Sequence, residues 1–164
     1  MIDDLYSARI LALAANMPRA GRLAEPQASV EKVSRLCGSR VTVDVVIEDG
    51  RVVDFAQDVR ACALGQAAAA ILGDKVIGAG VDEIIQARDA LKAMLKTGAP
   101  PPEGRFADLA VLAQVKDFPA RHASTLLAFE ATAEAATQVI SAGASSHVSV
   151  STETEPNAAI SAPR

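Results

Sequence analysis

The most constraining feature of this chain is a pair of β-branched runs joined through Asp-Gly. Val41-Thr42-Val43-Asp44-Val45-Val46-Ile47 leads by way of Glu48-Asp49-Gly50 into Val52-Val53-Asp54-Phe55-Ala56. Asp-Gly supplies the positive φ that a tight hairpin turn needs, so the pattern predicts two antiparallel strands. The chain's only two cysteines, Cys37 and Cys62, stand on either side of this unit. A hairpin brings the chain back to its starting end. Both thiols are therefore expected at one end of a sheet, as a metal site or a sulfur-handling site requires.

The flanking segments suggest what surrounds the hairpin. Asp3 or Asp4 is placed to cap a first helix with Tyr6, Ile10, Leu13 and Met17 on one face, ended by Pro18. Residues 18–29 carry Pro18, Gly21, Pro26 and Ser29 and read as an irregular connection. Residues 30–36 read as an edge strand joining the hairpin. After Cys62 the apolar period changes from two to three and four. Leu64, Ala67, Ala68, Ile71 and Leu72 predict a helix ending near Gly73, and a second runs from about Asp82 to Gly98. Three prolines at 100–102 form a stiff spacer. A short amphipathic helix through Phe106, Leu109, Ala110 and Ala113 follows. A last helix carries Leu126, Phe129, Ala133, Ala136 and Ile140. The expected fold is α+β: a three-stranded antiparallel sheet with helices packed on one face. Residues 1–140 form one domain, and 141–164, rich in Ser, Thr, Ala and Glu, form a disordered tail.

Composition narrows the function. With no Trp and one Tyr, the chain lacks the stacking surfaces that single-strand binders use. A net charge of −4 is the wrong sign for a nucleic-acid footprint. No segment is long and apolar enough to span a membrane. The short apolar run from Ile10 to Ala15 follows Asp3 and Asp4, whereas a signal sequence wants a positive start. Two cysteines without a secretion signal read as cytoplasmic thiols rather than a disulfide framework.

Thiolates are soft ligands, suited to zinc and to iron–sulfur clusters, but a closed site needs four donors. Two cysteines fall short, and buried cysteines are often simply small hydrophobes. Cys62, however, is expected to open a helix beside Arg60, where the helix dipole favours a thiolate. His122, in the first turn of the last helix, could reach a site at that helix's N-terminal end. On their own these residues are more simply explained as a surface or capping histidine and a capping or helix-surface serine at 124. His147 falls in the tail. Gly78-Ala79-Gly80 lacks the strand and the Lys-Ser/Thr of a phosphate loop. Glu130 with Glu134, Asp49 and Asp54 read as solvated positions.

Several local motifs, in this order and spacing, resemble the NifU N-terminal/IscU-like family of iron–sulfur cluster assembly scaffolds, and its SufU-type branch in particular. Asn16-Met17-Pro18-Arg19-Ala20-Gly21 is similar to that family's Asn-Pro-Arg-Asn-x-Gly, with Met17 inserted. Cys37-Gly38 matches its Cys-Gly-Asp, and Cys62-Ala63 with Gly65 to Ala67 its Gly-Cys-Ala-x-Ser-x-Ala. Residues 100–117 look like the insertion of the SufU-type branch. Phe118-Pro119-Ala120-Arg121 resembles the lead-in to the family's third cysteine. The family aspartate falls on Ser39 and the third cysteine on Ser124, so only Cys37 and Cys62 of four ligands are present.

The resemblance implies a scaffold rather than an enzyme, binding iron and sulfur transiently for transfer to apoproteins. Its ligand would be an iron–sulfur cluster or zinc. Its partners would be a cysteine desulfurase and recipient apoproteins. Candidate ligands are Cys37, Cys62, His122 as a third, and Ser124 at the place of the missing thiol. Water or an outside thiol could complete such a site, or two chains could bridge one cluster as a homodimer. Two rivals remain: a metal-free protein that binds or regulates a desulfurase, and a thiol sulfur acceptor acting through Cys62.

Overall fold

The computed structural model describes the backbone over residues 5–152 and the side chains over 5–143. The chain runs α1 (Ala8–Ala15), β1 (Ala28–Val33), β2 (Arg40–Glu48), β3 (Arg51–Arg60), α2 (Ala63–Lys75) and α3 (Val81–Thr97). A 3-10 run (Gly104–Asp117), a 3-10 turn (Pro119–Arg121) and α4 (His122–Thr152) complete it. The strands form one antiparallel sheet in the order β1-β2-β3. The α+β expectation is met.

Asp49 and Gly50 both take positive φ, 54° and 76°, and close the hairpin between Glu48 and Arg51. Along β2, Val41, Val43, Val45 and Ile47 alternate onto one face and are buried there. α2 and α4 cover that face. The match works because α2 is built from small residues: Ala67, Ala68, Ala69 and Ala70 are all buried, which lets the helix lie close. Phe129 of α4 and Phe106 of the 3-10 run meet edge to face, with centroids 5.5 Å apart.

The other face is crossed by residues 16–27. Arg19 O accepts from Gln57 N–H at 2.9 Å, and Gly21 N–H donates to Gln57 O at 2.9 Å, so the segment first pairs with the outer edge of β3. It then passes over Asp44 of β2, a fully buried carboxylate. Asp44 accepts two bonds from the Arg22 guanidinium (2.7 and 3.0 Å), one from Leu23 N–H (2.9 Å) and one from Ser29 Oγ (2.5 Å). The segment read as irregular is thus a strap, pinned at its centre by one charge.

Several boundaries differ from those expected. Ser7, not Asp3 or Asp4, caps α1, its Oγ accepting from Ile10 N–H at 3.3 Å; Asp3 and Asp4 lie outside the described residues. The edge strand spans Ala28–Val33 rather than 30–36, because Ser34 turns the chain. The amphipathic segment around Phe106 is a 3-10 run, not an α-helix. Arg105 fixes it by donating to Glu83 and to the carbonyls of Lys75, Ile77 and Gly78 behind α2. α4 continues past Ser141 to Thr152, into the stretch expected as tail, and Ile140 is 45 % exposed rather than packed. Residues 153–164 and the side chain of His147 lie outside the described residues.

Candidate functional site

The site is assembled at the end of the sheet opposite the Asp-Gly turn. Arg40 and Arg60 are cross-strand partners at that end. Cys37 lies three residues before Arg40, and Cys62 two residues after Arg60. The hairpin therefore brings the two thiols to one sheet end, as its sequence predicts.

Cys37 sits in a tight turn between β1 and β2. Ser34 N–H donates to Ser39 O, and Gly38 N–H to Ser34 O, each at 2.8 Å. Gly38 has φ 76°, a left-handed conformation that a side chain would strain, which explains Cys-Gly at this point. The turn folds two hydroxyls around the exposed Cys37 sulfur: Ser39 Oγ at 3.1 Å, and Ser34 Oγ at 3.5 Å, which accepts from the Cys37 thiol. Hydrogen bonds to sulfur favour the thiolate. The Ser39 hydroxyl acts most strongly, with Ser34, the Ser39 backbone and Ser124 adding to it against a smaller burial penalty; together they bring Cys37 down to about 7. The turn thus activates Cys37, a thiol for which the sequence offered no such argument. Alkylation of Cys37 should accelerate with pH through a midpoint near 7 and then level off. Ser39→Ala should move that midpoint up towards about 8.5, the ordinary thiol value. A midpoint unmoved by Ser39→Ala, followed by mass spectrometry of the alkylated peptide, would remove Ser39 as the cause.

Cys62 occupies the N-cap position of α2 and makes no side-chain cap bond. Its sulfur instead lies 3.0 Å from Ser124 Oγ, in the first turn of α4. Ser124 is 1 % exposed, and its hydroxyl also acts on Cys37. This buried hydroxyl therefore touches the Cys62 sulfur at the position where the family resemblance places a third cysteine.

Gly65 is what allows α4 to come this close. A Cβ there would lie 2.8 Å from Ala61 Cβ and 2.9 Å from Ser124 O. In an open helix Gly→Ala gains about 1 kcal/mol. Here overpacking dominates, so Gly65→Ala is expected to destabilise by about 1–3 kcal/mol in urea unfolding. A more stable variant would show that the α2–α4 approach is looser than this.

His122 does not join the group. Its ring is 5 % exposed, and Nε2 donates to Val115 O at 3.0 Å and Lys116 O at 3.2 Å. Those bonds turn it towards the end of the 3-10 run, and Nδ1 is buried without a partner. Among the described residues no three His, Cys, Asp or Glu side chains gather as a metal-binding group. The assembled set is Cys37, Cys62, Ser39 and Ser124, with Ser34 behind Cys37. Ser34 carries no sequence signal. Asp44 does carry one, a charge inside an apolar strand, although only the fold shows that it pins the strap.

Two thiols and two hydroxyls do not make a closed four-ligand site within one chain. A serine hydroxyl is hard and stays protonated at neutral pH, whereas the metals concerned prefer soft thiolate. The arrangement can activate one thiol, hold a second nearby and offer an incomplete soft site.

Comparison with known proteins agrees with this architecture. The structure of a nitrogen-fixing NifU-like protein (N-terminal) from Brucella abortus is 53 % identical, covers 85 % of this chain and 97 % of its own, and superposes with a TM-score of 0.84. The iron–sulfur cluster assembly scaffold protein IscU of Thermotoga maritima is 28 % identical over 131 residues, 80 % of this chain and 92 % of that protein. A putative iron–sulfur cluster assembly scaffold protein for the SUF system from Fervidobacterium islandicum AW-1 shares the fold, with a TM-score of 0.74 at 21 % identity, over 80 % of this chain and 96 % of its own. The NifU-like N terminal domain family matches residues 5–125. With its thiol-flanked hairpin and helical cover, this chain belongs to the NifU-like N-terminal domain family of iron–sulfur cluster assembly scaffolds.

Proposed function

We propose that the chain works as an iron–sulfur cluster assembly scaffold whose cargo, iron with sulfur or a nascent cluster, rests on Cys37 and Cys62. Family membership supports a scaffold that is not an enzyme. The observation that carries the site assignment is the Ser124 hydroxyl 3.0 Å from the Cys62 sulfur, at the sheet end to which the hairpin also brings Cys37. Cys37 is the sulfur acceptor in this reading, being the exposed thiol that its serines hold ready as thiolate. Zinc is the alternative occupant. The partners are a cysteine desulfurase and recipient apoproteins, met in the cytoplasm. Residues 1–140 are the working unit, and 141–164 lie outside it.

The test is anaerobic incubation of the full chain with a desulfurase, cysteine, ferrous iron and a dithiol reductant that brings the delivered sulfane sulfur to sulfide. Visible absorption that co-elutes with the chain is expected. Colourless protein, free of zinc by metal analysis, would reject the cargo reading and leave a metal-free desulfurase-binding protein. Mass mapping of a parallel sample without iron or reductant locates any persulfide, which is expected on Cys37.

A further inference from the structure

Cys62 stands at a position that its own side chain does little to fix. It is the N-cap of α2, with φ −67° and ψ 172°, yet it makes no cap bond, since sulfur is a poor acceptor for the first N–H groups of a helix. Its hydrogen-bond contact among the described residues is Ser124 Oγ, at 3.0 Å. A thiol–hydroxyl bond is weak and does not hold a cysteine by itself. Where the sulfur points is therefore decided by the backbone that carries it.

That backbone is held by Gln66. Ala61 lies between the end of β3 and the start of α2, so neither the ladder nor the helix supplies a donor for its carbonyl. Gln66, one turn into α2 and half-buried, reaches back and donates from Nε2 to Ala61 O at 2.9 Å. Its N–H donates to Cys62 O, also at 2.9 Å. One residue thus binds the carbonyls on both sides of the Cys62 Cα. The Ala61 methyl in turn packs where Gly65 has no side chain, since a Cβ there would lie 2.8 Å from it.

We propose that Gln66 is a positioning residue for Cys62: its carboxamide fixes the Ala61–Cys62 peptide so that the sulfur stays on Ser124 and is kept back from solvent. This deepens the cargo reading and rests on it, because a thiol held in one direction meets iron or sulfur at one place. The bond is specific in kind. It needs a neutral donor at the end of a side chain of this length. A glutamate would set an acceptor against Ala61 O, and a methionine would donate nothing.

Gln66→Met tests the assignment. Methionine matches glutamine in length and helix propensity, and the backbone bond to Cys62 O remains, so only the hold on Ala61 is lost. Iodoacetamide is added to the full chain, freed of metal, and peptide mass spectrometry follows Cys62 and Cys37 separately. Cys62 should react about two- to tenfold faster in the variant, the range that one neutral hydrogen bond permits. Cys37 should keep its parent rate, which shows that this end of the sheet is folded. Because Gln66 acts through the contact with Ser124, the two changes should not add. In a Ser124→Ala background Gln66→Met should alter the Cys62 rate by less than about twofold. An unchanged Cys62 rate, a Cys37 rate that rises in step with it, or an equal Gln66→Met effect with and without the Ser124 hydroxyl would each overturn the proposal. No iron or sulfur is present, so those results leave the cargo reading standing. That reading fails separately, by a parent chain that retains no iron or sulfide.

Discussion

Replacing Ser124 with cysteine should raise the site's affinity for zinc by more than about tenfold, given that even outer-shell partners of a metal site carry about 10–100-fold. The reason is position. Ser124 Oγ already lies 3.0 Å from Cys62 Sγ, at the sheet end that also carries Cys37, so a sulfur placed there adds to the existing thiols. It exchanges a hard, protonated donor for a soft thiolate. Ser124→Ala is the control. It removes the hydroxyl without adding a ligand, and zinc affinity should stay as it is. Competition against a chromophoric chelator measures all three proteins. Unchanged affinity in Ser124→Cys would mean that position 124 does not face the metal. Adding Ser39→Asp to Ser124→Cys supplies four donors of the family type, so that double variant should hold zinc more tightly still.

Asp44→Ala should be the most damaging single change outside the core, costing on the order of 3 kcal/mol, because it removes the shared acceptor of several charge-assisted bonds at a buried position. Asp44 is the one group that Arg22, Leu23 and Ser29 all reach, so its loss releases the strap from the sheet. The effect has a defined pH signature. Burial alone would raise the Asp44 pKa, but the hydrogen bonds from Arg22, Ser29 and the Leu23 N–H, with the Arg22 charge, outweigh it and hold the carboxyl below its usual range. A carboxyl depressed in the folded state stabilises fully above its unfolded value, about 3.9, and loses that contribution as pH falls through the folded value. The gap in urea midpoint between parent and Asp44→Ala should therefore be widest near neutrality and narrow in acid below about pH 4. A gap independent of pH would mean that the carboxylate's charge does not hold the strap.

How far the sequence could be read depended on whether each feature is local. The hairpin was legible because Asp49-Gly50 and the flanking β-branched runs carry their own geometry. From it followed the meeting of Cys37 and Cys62 at one sheet end. The limits of α3 were legible for the same reason: Gly98 takes φ 73° after the last turn. The segment through Phe106 has helical spacing, but apolar residues three and four apart serve a 3-10 run as well as an α-helix. Its identity depends on Arg105 bonding to carbonyls some thirty residues away. His122 illustrates the same limit at the site. Its place in the first turn of α4 suits a ligand, while its ring is claimed by Val115 and Lys116, a packing that no pattern in the sequence announces. Cys37 was underestimated because its activation comes from Ser34 and Ser39, whose hydroxyls converge only once the turn is formed.

The central claim, that Cys37 and Cys62 together carry the cargo, is tested most directly by iron and acid-labile sulfide per chain. The measurement follows anaerobic reconstitution and gel filtration of the parent protein, Cys37→Ala and Cys62→Ala. The parent should retain both iron and sulfide, and each variant should lose them. A parent that retains neither, or a Cys37→Ala protein that retains as much as the parent, would contradict the claim.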